Sequence, residues 1–277
     1  MCRLFGFRSN VPARVHQELV YERNSLRAQS VEHKDGWGIA SYVDGPFPEV
    51  AHGVGPAHLD PEFERVSNLV SSRAVIAHVR LASVGPVALP NAHPFTWNQW
   101  TFAHNGTLQR FEVHRAEMEG RLDPDFRALL RGDTDSERCF YLFLTLLRRR
   151  GGLESPSFED VARALAATAE MAVAITEAGA TKPSSANFIV SDGRQLLATR
   201  RHRTLFYSER LPIAECPEPP PCQGRPLRQF VVASEILDSE SHWYEVPENS
   251  IVGVSADLTF REWPIADLVR DGAAAAA

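Results

Sequence analysis

The sequence lacks any run of eighteen consecutive apolar residues, the length that a membrane-spanning helix requires. It also lacks the basic segment followed by a short apolar run that opens a secretory signal. We therefore expect no membrane partner, no secretion and a cytoplasmic location. At 277 residues and 44% hydrophobic, the chain is long enough to bury a sizeable core.

Positive charge is also scarce. The chain has 29 Lys and Arg against 35 Asp and Glu, which gives a formal net charge of -6. A nucleic-acid partner would require a clustered basic face. The one basic run, Arg148 to Arg150, fits the solvated end of a helix. We therefore expect no nucleic-acid binding.

Cysteine is the third scarce residue type. The four cysteines are too few and too scattered for a disulfide framework, and no two form a CxxC pair, so we expect reduced thiols. Cys2 differs from the others in its position. If Met1 is removed, Cys2 carries a free α-amine with a pKa of about 8 beside its thiol, and one residue then holds both nucleophile and base. The alternative is an ordinary cysteine behind the start codon.

The first half of the chain predicts alternating strands and helices. Residues 3 to 8 have the pattern of a strand, and 13 to 28 have the apolar spacing of a helix. Residues 33 to 43 indicate a turn that leads into a strand. Residues 74 to 80 are apolar and β-branched, which predicts a buried strand that delivers Arg80 to its C-terminal end. The long loop at 81 to 98 indicates a functional segment.

The next segment alternates like a strand from 99 and reaches Asn105-Gly106, a pair suited to a tight turn. Thr134 to Glu137 matches a capping box before an amphipathic helix, with Asp135 in a first turn whose dipole favours a carboxylate. A Ser-x-x-Asp cap opens a second helix at about 157 to 178. Short strands follow, interrupted by a Pro-rich loop at 212 to 226. This order predicts a layered α+β domain over residues 2 to 265. Residues 266 to 277 are expected to be a disordered tail.

Five separated motifs give the chain a resemblance to a known family. They are Cys2, Arg80 with Ser83 and Gly85, Asn91-Ala92-His93-Pro94, His104-Asn105-Gly106, and Thr134-Asp135-Ser136-Glu137. In order and spacing they resemble the class II glutamine amidotransferases, which are N-terminal nucleophile (Ntn) hydrolases with a four-layer α/β/β/α sandwich. The resemblance covers residues 2 to about 150 directly. It is greatest to the stand-alone branch, which has His-x-Asp-Gly-[Trp/Phe]-Gly and His-Val-Arg and includes γ-glutamyl hydrolases of thiol metabolism.

The resemblance implies a role for each matched residue. Cys2 would attack the γ-carboxamide, and the Asn105 amide and Gly106 N–H would stabilise the oxyanion. Arg80 would pair with the α-carboxylate of the substrate and Asp135 with its α-ammonium. The resemblance also assigns Ser83, His93 and His104 to the substrate-binding part. We expect the two histidines to support the residues that contact the substrate, or to have a structural role, rather than to touch it. Val84 departs from the synthase-linked members, which have a histidine there.

The resemblance implies no cofactor and no metal. His33, His78, His93 and His104 could be interpreted as a metal cluster, but their spacing matches no zinc signature. The substrate would be glutamine or a γ-glutamyl compound, cleaved through a thioester on Cys2. Since no residues remain for a synthase domain, we expect complete hydrolysis. The alternatives are an ammonia-supplying subunit for a separate enzyme and a non-catalytic binding protein; the oligomeric state is open, with a homo-oligomer among the alternatives.

Overall fold

A computed structural model describes residues 2–210, 229–239 and 241–274. The Pro-rich loop expected at 212 to 226 lies outside these ranges. No helix in the described part of the chain is long and apolar enough to cross a membrane. The cytoplasmic location stays a prediction.

Two antiparallel sheets form the centre of the molecule. The first has the strand order β11-β9-β10-β1-β4-β2-β3, and the second has the order β13-β12-β8-β7-β6-β5. The strands, in chain order, are β1 (Arg3–Arg14), β2 (Trp37–Ser41), β3 (Glu49–Gly53), β4 (Ser71–Val79), β5 (Phe95–Trp97), β6 (Trp100–Thr107), β7 (Ser185–Ser191), β8 (Leu196–Arg200), β9 (Phe206–Arg210), β10 (Gln229–Ala233), β11 (Tyr244–Glu245), β12 (Ser250–Val254) and β13 (Phe260–Pro264).

Helices cover the outer face of each sheet. They are α1 (Leu26–Gln29), α2 (Pro61–Leu69), α3 (Phe111–Glu119), α4 (Pro124–Arg127), α5 (Asp135–Gly151), α6 (Phe158–Thr176) and α7 (Ile265–Ala274). Three buried apolar clusters separate the layers. One lies between the two sheets and includes Leu4, Ile76 and Ile189. The others pack α1 and α2 on the first sheet and α5 and α6 on the second. The predicted four-layer α/β/β/α sandwich is therefore confirmed.

Two predicted elements are wrong. The helix expected at 13 to 28 is interrupted, because β1 still pairs with β4 at Arg14 and only the turns Gln17–Tyr21 and Leu26–Gln29 are helical. Between them Glu22 has ψ 151°, an extended conformation that no helix can include. The tail expected to be disordered from 266 instead forms α7, with Leu268 buried. Residues 275 to 277 lie outside the described ranges.

Arg8, in the middle of β1, links the two sheets. Its Nε donates to Arg194 O at 2.8 Å and its Nη2 to Ala256 O at 3.2 Å. Burial lowers the pKa of Arg8 to about 10. These bonds connect β1 to the turn after β7 and to the turn after β12, so the sheets are held together beyond their apolar contact.

Candidate active site

Cys2 stands immediately before β1, which is a central strand of the first sheet. Its Sγ lies 3.6 Å from Leu81 O, and its side chain is buried. Since Arg3 pairs with Val79, the start of β1 lies beside the end of β4. This pairing brings Cys2 next to the segment that begins with Arg80. Burial raises the pKa of the Cys2 thiol, and the positive charge of Arg80 acts in the opposite direction.

Arg80 lies at the C-terminal end of β4, as predicted. Its Nη1 donates to Pro86 O at 3.0 Å, and its Nη2 donates to Val84 O at 2.9 Å. The guanidinium therefore fixes the first turn of the loop at 81 to 98. Its Nε–H makes no hydrogen bond with a described residue. Arg80 interacts electrostatically with Cys2 and Asp135, so the structure brings these three predicted site residues together.

Asp35 supports the same segment, and the sequence analysis assigned it no role. Its Oδ2 accepts the Ala82 N–H at 2.8 Å, and its own N–H donates to Arg80 O at 2.9 Å. Arg80 N–H in turn donates to Gly36 O at 2.8 Å. Asp35 thus holds the backbone on both sides of Leu81, whose carbonyl faces the Cys2 thiol. Its place in the His33-Lys34-Asp35-Gly36 motif was the available signal.

Asp135 is the first residue of α5, and its carboxylate is buried. Oδ2 accepts the Leu108 N–H at 2.8 Å, and Oδ1 accepts the Ser136 N–H at 2.8 Å. Thr134 Oγ1 accepts the Glu137 N–H at 3.2 Å, which confirms the predicted N-cap. The other half of the capping box is wrong, because the Glu137 carboxylate accepts the N–H groups of Arg131 and Gly132.

Asn105 and Gly106 do not form the tight turn that their sequence suggests. Strand β6 continues to Thr107, and Asn105 and Gly106 pair with Asn187 and Ala186 of β7. A Cβ on Gly106 would overlap the Ser185 carbonyl and the His104 ring. Only glycine therefore fits at 106, because the neighbouring strand and the His104 ring occupy the space of a side chain.

The Asn105 side chain contacts the first sheet through Ser234. Its Nδ2 donates to Ser234 Oγ at 3.1 Å, and its Oδ1 has no partner among the described residues. Ser234 Oγ also accepts the Leu4 N–H at 2.9 Å. Ser234 thus joins the strand that carries Cys2 to the amide of Asn105. No local pattern in the sequence indicates Ser234, because its link to Leu4 spans 230 residues.

His104 and His93 are buried behind the site. His104 Nδ1 lies 2.9 Å from Ser136 Oγ, and its Nε2 lies 2.9 Å from Ser185 O. The His93 ring stacks on His78 with centroids 4.3 Å apart, and neither of its nitrogens has a partner among the described residues. Within the described ranges no three His, Cys, Asp or Glu side chains are grouped to hold a metal ion. Both rings thus lie behind the residues that would contact a substrate, and the assignment of His93 and His104 to the substrate-binding part stays a prediction.

The buried histidines predict that the protein loses stability in mild acid. Burial lowers the pKa of His78 to about 3 and that of His93 well below its ordinary value. Below about pH 6.5 the unfolded chain binds protons that the folded protein does not, so the free energy of unfolding falls as the pH falls. For His78 the loss is about 2 kcal/mol at pH 5, and His93 acts in the same direction. The free energy of unfolding, measured with urea, should therefore be lower at pH 5 than at pH 7 by about 2 kcal/mol or more.

The matched control for this pH dependence is His202→Asn. His202 is exposed, and Asn tolerates its φ of 73°. This variant should keep the same difference between the two pH values. Equal stability at pH 7 and pH 5 in the unsubstituted protein would contradict the prediction.

Ser83 and Thr107 form one side of the site opening. Their hydroxyl oxygens lie 2.8 Å apart, and Ser83 is exposed. Behind them Asn91 fastens the loop to the start of α5: its Nδ2 donates to Pro86 O at 3.0 Å, and its Oδ1 accepts the Asp133 N–H at 2.8 Å. Asn91 therefore fixes the position of the loop relative to Asp135, and Arg80 bonds to the same loop.

The aromatic residues Trp37, Phe95, Trp97 and Trp100 divide into two pairs. Trp37 and Trp100 are fully buried, and their indole N–H groups donate to Asp60 and Leu153 O, so they belong to the core. Phe95 and Trp97 are partly buried and line a cavity of 260 Å³. Only this second pair is open to a ligand.

A cysteine at the start of a central strand, between two antiparallel sheets that are each covered by helices, defines the fold of the Ntn hydrolases. The comparisons agree. A glutamine aminotransferase class-II domain protein from Silicibacter pomeroyi superposes with a TM-score of 0.66 over 95% of this chain and 99% of that one, at 24% identity. This likeness shows the fold.

The family model for class-II glutamine amidotransferases matches residues 1–216. The Saccharomyces cerevisiae protein named "Probable glutamine amidotransferase DUG3" is 27% identical over an alignment of 294 positions, which covers 92% of this chain and 82% of that protein. The gamma-glutamyl-hercynylcysteine sulfoxide hydrolase of Mycobacterium tuberculosis is 27% identical over an alignment of 266 positions, which covers 92% of this chain and 93% of that protein. The chain belongs to the class II glutamine amidotransferases, and it is an amidohydrolase of that type.

Proposed function

We propose that this protein hydrolyses the γ-glutamyl amide of glutamine or of a γ-glutamyl compound, with Cys2 as nucleophile and water as acceptor. The observation that carries the proposal is the grouping of Cys2 before β1, Arg80 after β4 and Asp135 at the start of α5. A relative with near-complete overlap is a γ-glutamyl hydrolase by name, which supports water as acceptor. Within residues 2–265, a single domain would carry the reaction.

In this proposal the Cys2 thiol transfers its proton to the α-amine that removal of Met1 exposes. The thiolate attacks the γ-carbonyl carbon, and the C–N bond breaks as the α-ammonium protonates the leaving nitrogen. A thioester between Cys2 and the glutamyl group remains. Water then attacks the thioester and releases glutamate. Burial raises the pKa of the thiol and so disfavours the thiolate. The attack therefore requires a nearby base, which the α-amine of the same residue would supply.

Arg80 and Asp135 would bind the amino-acid end of the substrate. A planar guanidinium suits the α-carboxylate, and the Arg80 Nε–H is available for it. The Asp135 carboxylate would accept the α-ammonium while it keeps its bonds to Leu108 and Ser136. Ser83 lies at the opening and would contact the same end. We assign His93 and His104 to the support of the loop and of β6.

Replacing Arg80 by Lys should raise KM for a γ-glutamyl substrate by about 10- to 100-fold, the value of a charge-assisted hydrogen bond. A lysine keeps the positive charge. It cannot, however, donate to the carbonyls of Val84 and Pro86 and at the same time bind the substrate carboxylate. Steady-state kinetics measure the effect. Arg201→Lys is the matched control, since Arg201 pairs with Glu170. Unchanged kinetics in Arg80→Lys would show that Arg80 serves the fold alone.

The proposed function is tested by glutamate release from glutamine and from a panel of γ-glutamyl peptides. We expect turnover of at least one of them without any second protein. If none is hydrolysed while glutamine raises the thermal unfolding temperature, the protein is a binding protein. If ammonia appears only when a second enzyme is present, it is an ammonia-supplying subunit. The relatives include an aminotransferase as well as a hydrolase, and for this reason the ammonia-supplying subunit is kept as the second candidate function.

A further inference from the structure

A second arginine approaches the site from the oxyanion side. Arg203 follows β8, and its Nε donates to Ser185 Oγ at 3.1 Å. Ser185 pairs with Thr107 across β7 and β6, one residue beyond Gly106. Thr107 in turn contacts Ser83 at the opening. The guanidinium of Arg203 is therefore held beside the opening of the site.

Arg3 reaches the same region from β1. It follows Cys2 directly, its Nη1 donates to Cys2 O at 3.2 Å, and its Nη2 pairs with Glu235 at 3.1 Å. Burial lowers the pKa of Arg203, and the positive charge of Arg3 lowers it further. The two arginines are thus near enough for the charge of one to act on the other, and Arg3 is bonded to the backbone of Cys2.

The arginines near this segment differ in their partners. Arg200 pairs with Glu245 and Glu248, and Arg201 pairs with Glu170. Arg203 makes no ion pair with any residue in the described ranges, although its side chain is partly exposed. Arg3 therefore acts on Arg203 as a like charge, and no carboxylate in the described ranges pairs with Arg203 to offset the repulsion. A bound anion would remove this repulsion.

Arg203 and Arg80 serve different parts of the site. Arg80 interacts with Cys2, Asp35 and Asp135, whereas the charge that acts on Arg203 is that of Arg3. Arg80 extends from β4 into the loop before Asn91, and Arg203 rests on β7 beyond Gly106. If the α-carboxylate of the glutamyl group occupies Arg80, the anion at Arg203 must come from the other side of the scissile bond.

We propose that the leaving group of the preferred substrate carries a carboxylate and that Arg203 binds it. The substrate class is then γ-glutamyl amino acids and short γ-glutamyl peptides rather than glutamine, whose leaving group, ammonia, offers nothing to a guanidinium. The inference rests on the proposed function. It adds no chemical step: the C–N bond breaks as before, and the leaving nitrogen belongs to an amino acid.

The test compares two pairs of substrates that differ only in the terminal carboxylate. The pairs are γ-glutamylglycine with γ-glutamylglycinamide, and γ-glutamylalanylglycine with its amide. In at least one pair the acid should exceed the amide in kcat/KM by about 10- to 100-fold, the factor expected of a charge-assisted hydrogen bond. Arg203→Gln should bring that ratio to near one, and Arg203→Lys should leave an intermediate ratio. Arg201→Gln, the matched control, should keep the full ratio.

Each outcome decides one question. If the unsubstituted protein hydrolyses no γ-glutamyl substrate, the proposed function fails, and this inference fails with it. If it hydrolyses them with a ratio near one in both pairs, the proposed function stands and the inference is overturned. A full ratio in Arg203→Gln would likewise overturn the role of Arg203. Should Arg203→Gln fail to fold, the ratio of the unsubstituted protein and that of Arg203→Lys decide.

Discussion

Replacing Cys2 by Ala should reduce glutamate release by about 10⁶-fold or to the limit of detection, because the proposed thioester cannot form without Sγ. The fold should survive, since Cys2 precedes β1 and its Sγ makes one hydrogen bond, to Leu81 O. Glutamate release and thermal unfolding, measured on the same preparations, separate the two effects.

The matched control is Cys139→Ala. Cys139 is buried in α5, and burial raises the pKa of its thiol well above the ordinary value, so it is a poor nucleophile. This variant should lose stability and keep its activity. Activity in Cys2→Ala that matches the unsubstituted protein would rule out the thioester mechanism.

The same mechanism requires that Met1 be removed. Intact-mass measurement on active protein should give the mass of the chain that begins at Cys2. If Met1 is retained on protein that is nevertheless active, the α-amine of Cys2 is tied up in a peptide bond and cannot be the base. The thiol could then still be the nucleophile, but another group would have to take its proton.

Local sequence patterns predicted those parts of the site whose position depends on neighbours in the chain. The β-branched run before Arg80 indicated a buried strand, and that strand does deliver Arg80 to the site. Thr134 was recognisable as an N-cap because the cap involves residues three positions apart. Both are short-range features that follow from periodicity and capping.

The parts that the sequence could not predict depend on contacts between distant segments. Asn105-Gly106 has the composition of a turn, yet Gly106 is required because a Cβ would meet the Ser185 carbonyl on the neighbouring strand. Ser234 gains its position from β1, 230 residues away in the chain, and Arg203 gains its position from β7, 18 residues away. No local periodicity carries such information. The helix predicted at 13 to 28 failed for the same reason, since pairing with β4 extends β1 to Arg14.

Replacing Asn105 by Ala should lower kcat by about 10²- to 10³-fold, the usual cost of one oxyanion donor. KM should change little, because the negative charge on oxygen develops only in the transition state. For this role Nδ2 must point into the site, and its bond to Ser234 Oγ fixes the plane of the amide. Ser234→Ala should therefore lower kcat by a smaller factor, about tenfold, since the donor remains but is less well oriented.

Steady-state kinetics on both variants, with Asn68→Ala on the exposed face of α2 as control, distinguish this role from a structural one. Loss of an oxyanion donor lowers kcat at constant KM, whereas a displaced β6 would also move Asp135 through Leu108 and raise KM. The double variant Asn105→Ala, Ser234→Ala should have the same kcat as Asn105→Ala alone, because in this proposal Ser234 acts on catalysis only through the Asn105 amide. Additive losses in the double variant would show that Ser234 acts by another route, through its bond to Leu4 and the strand that carries Cys2.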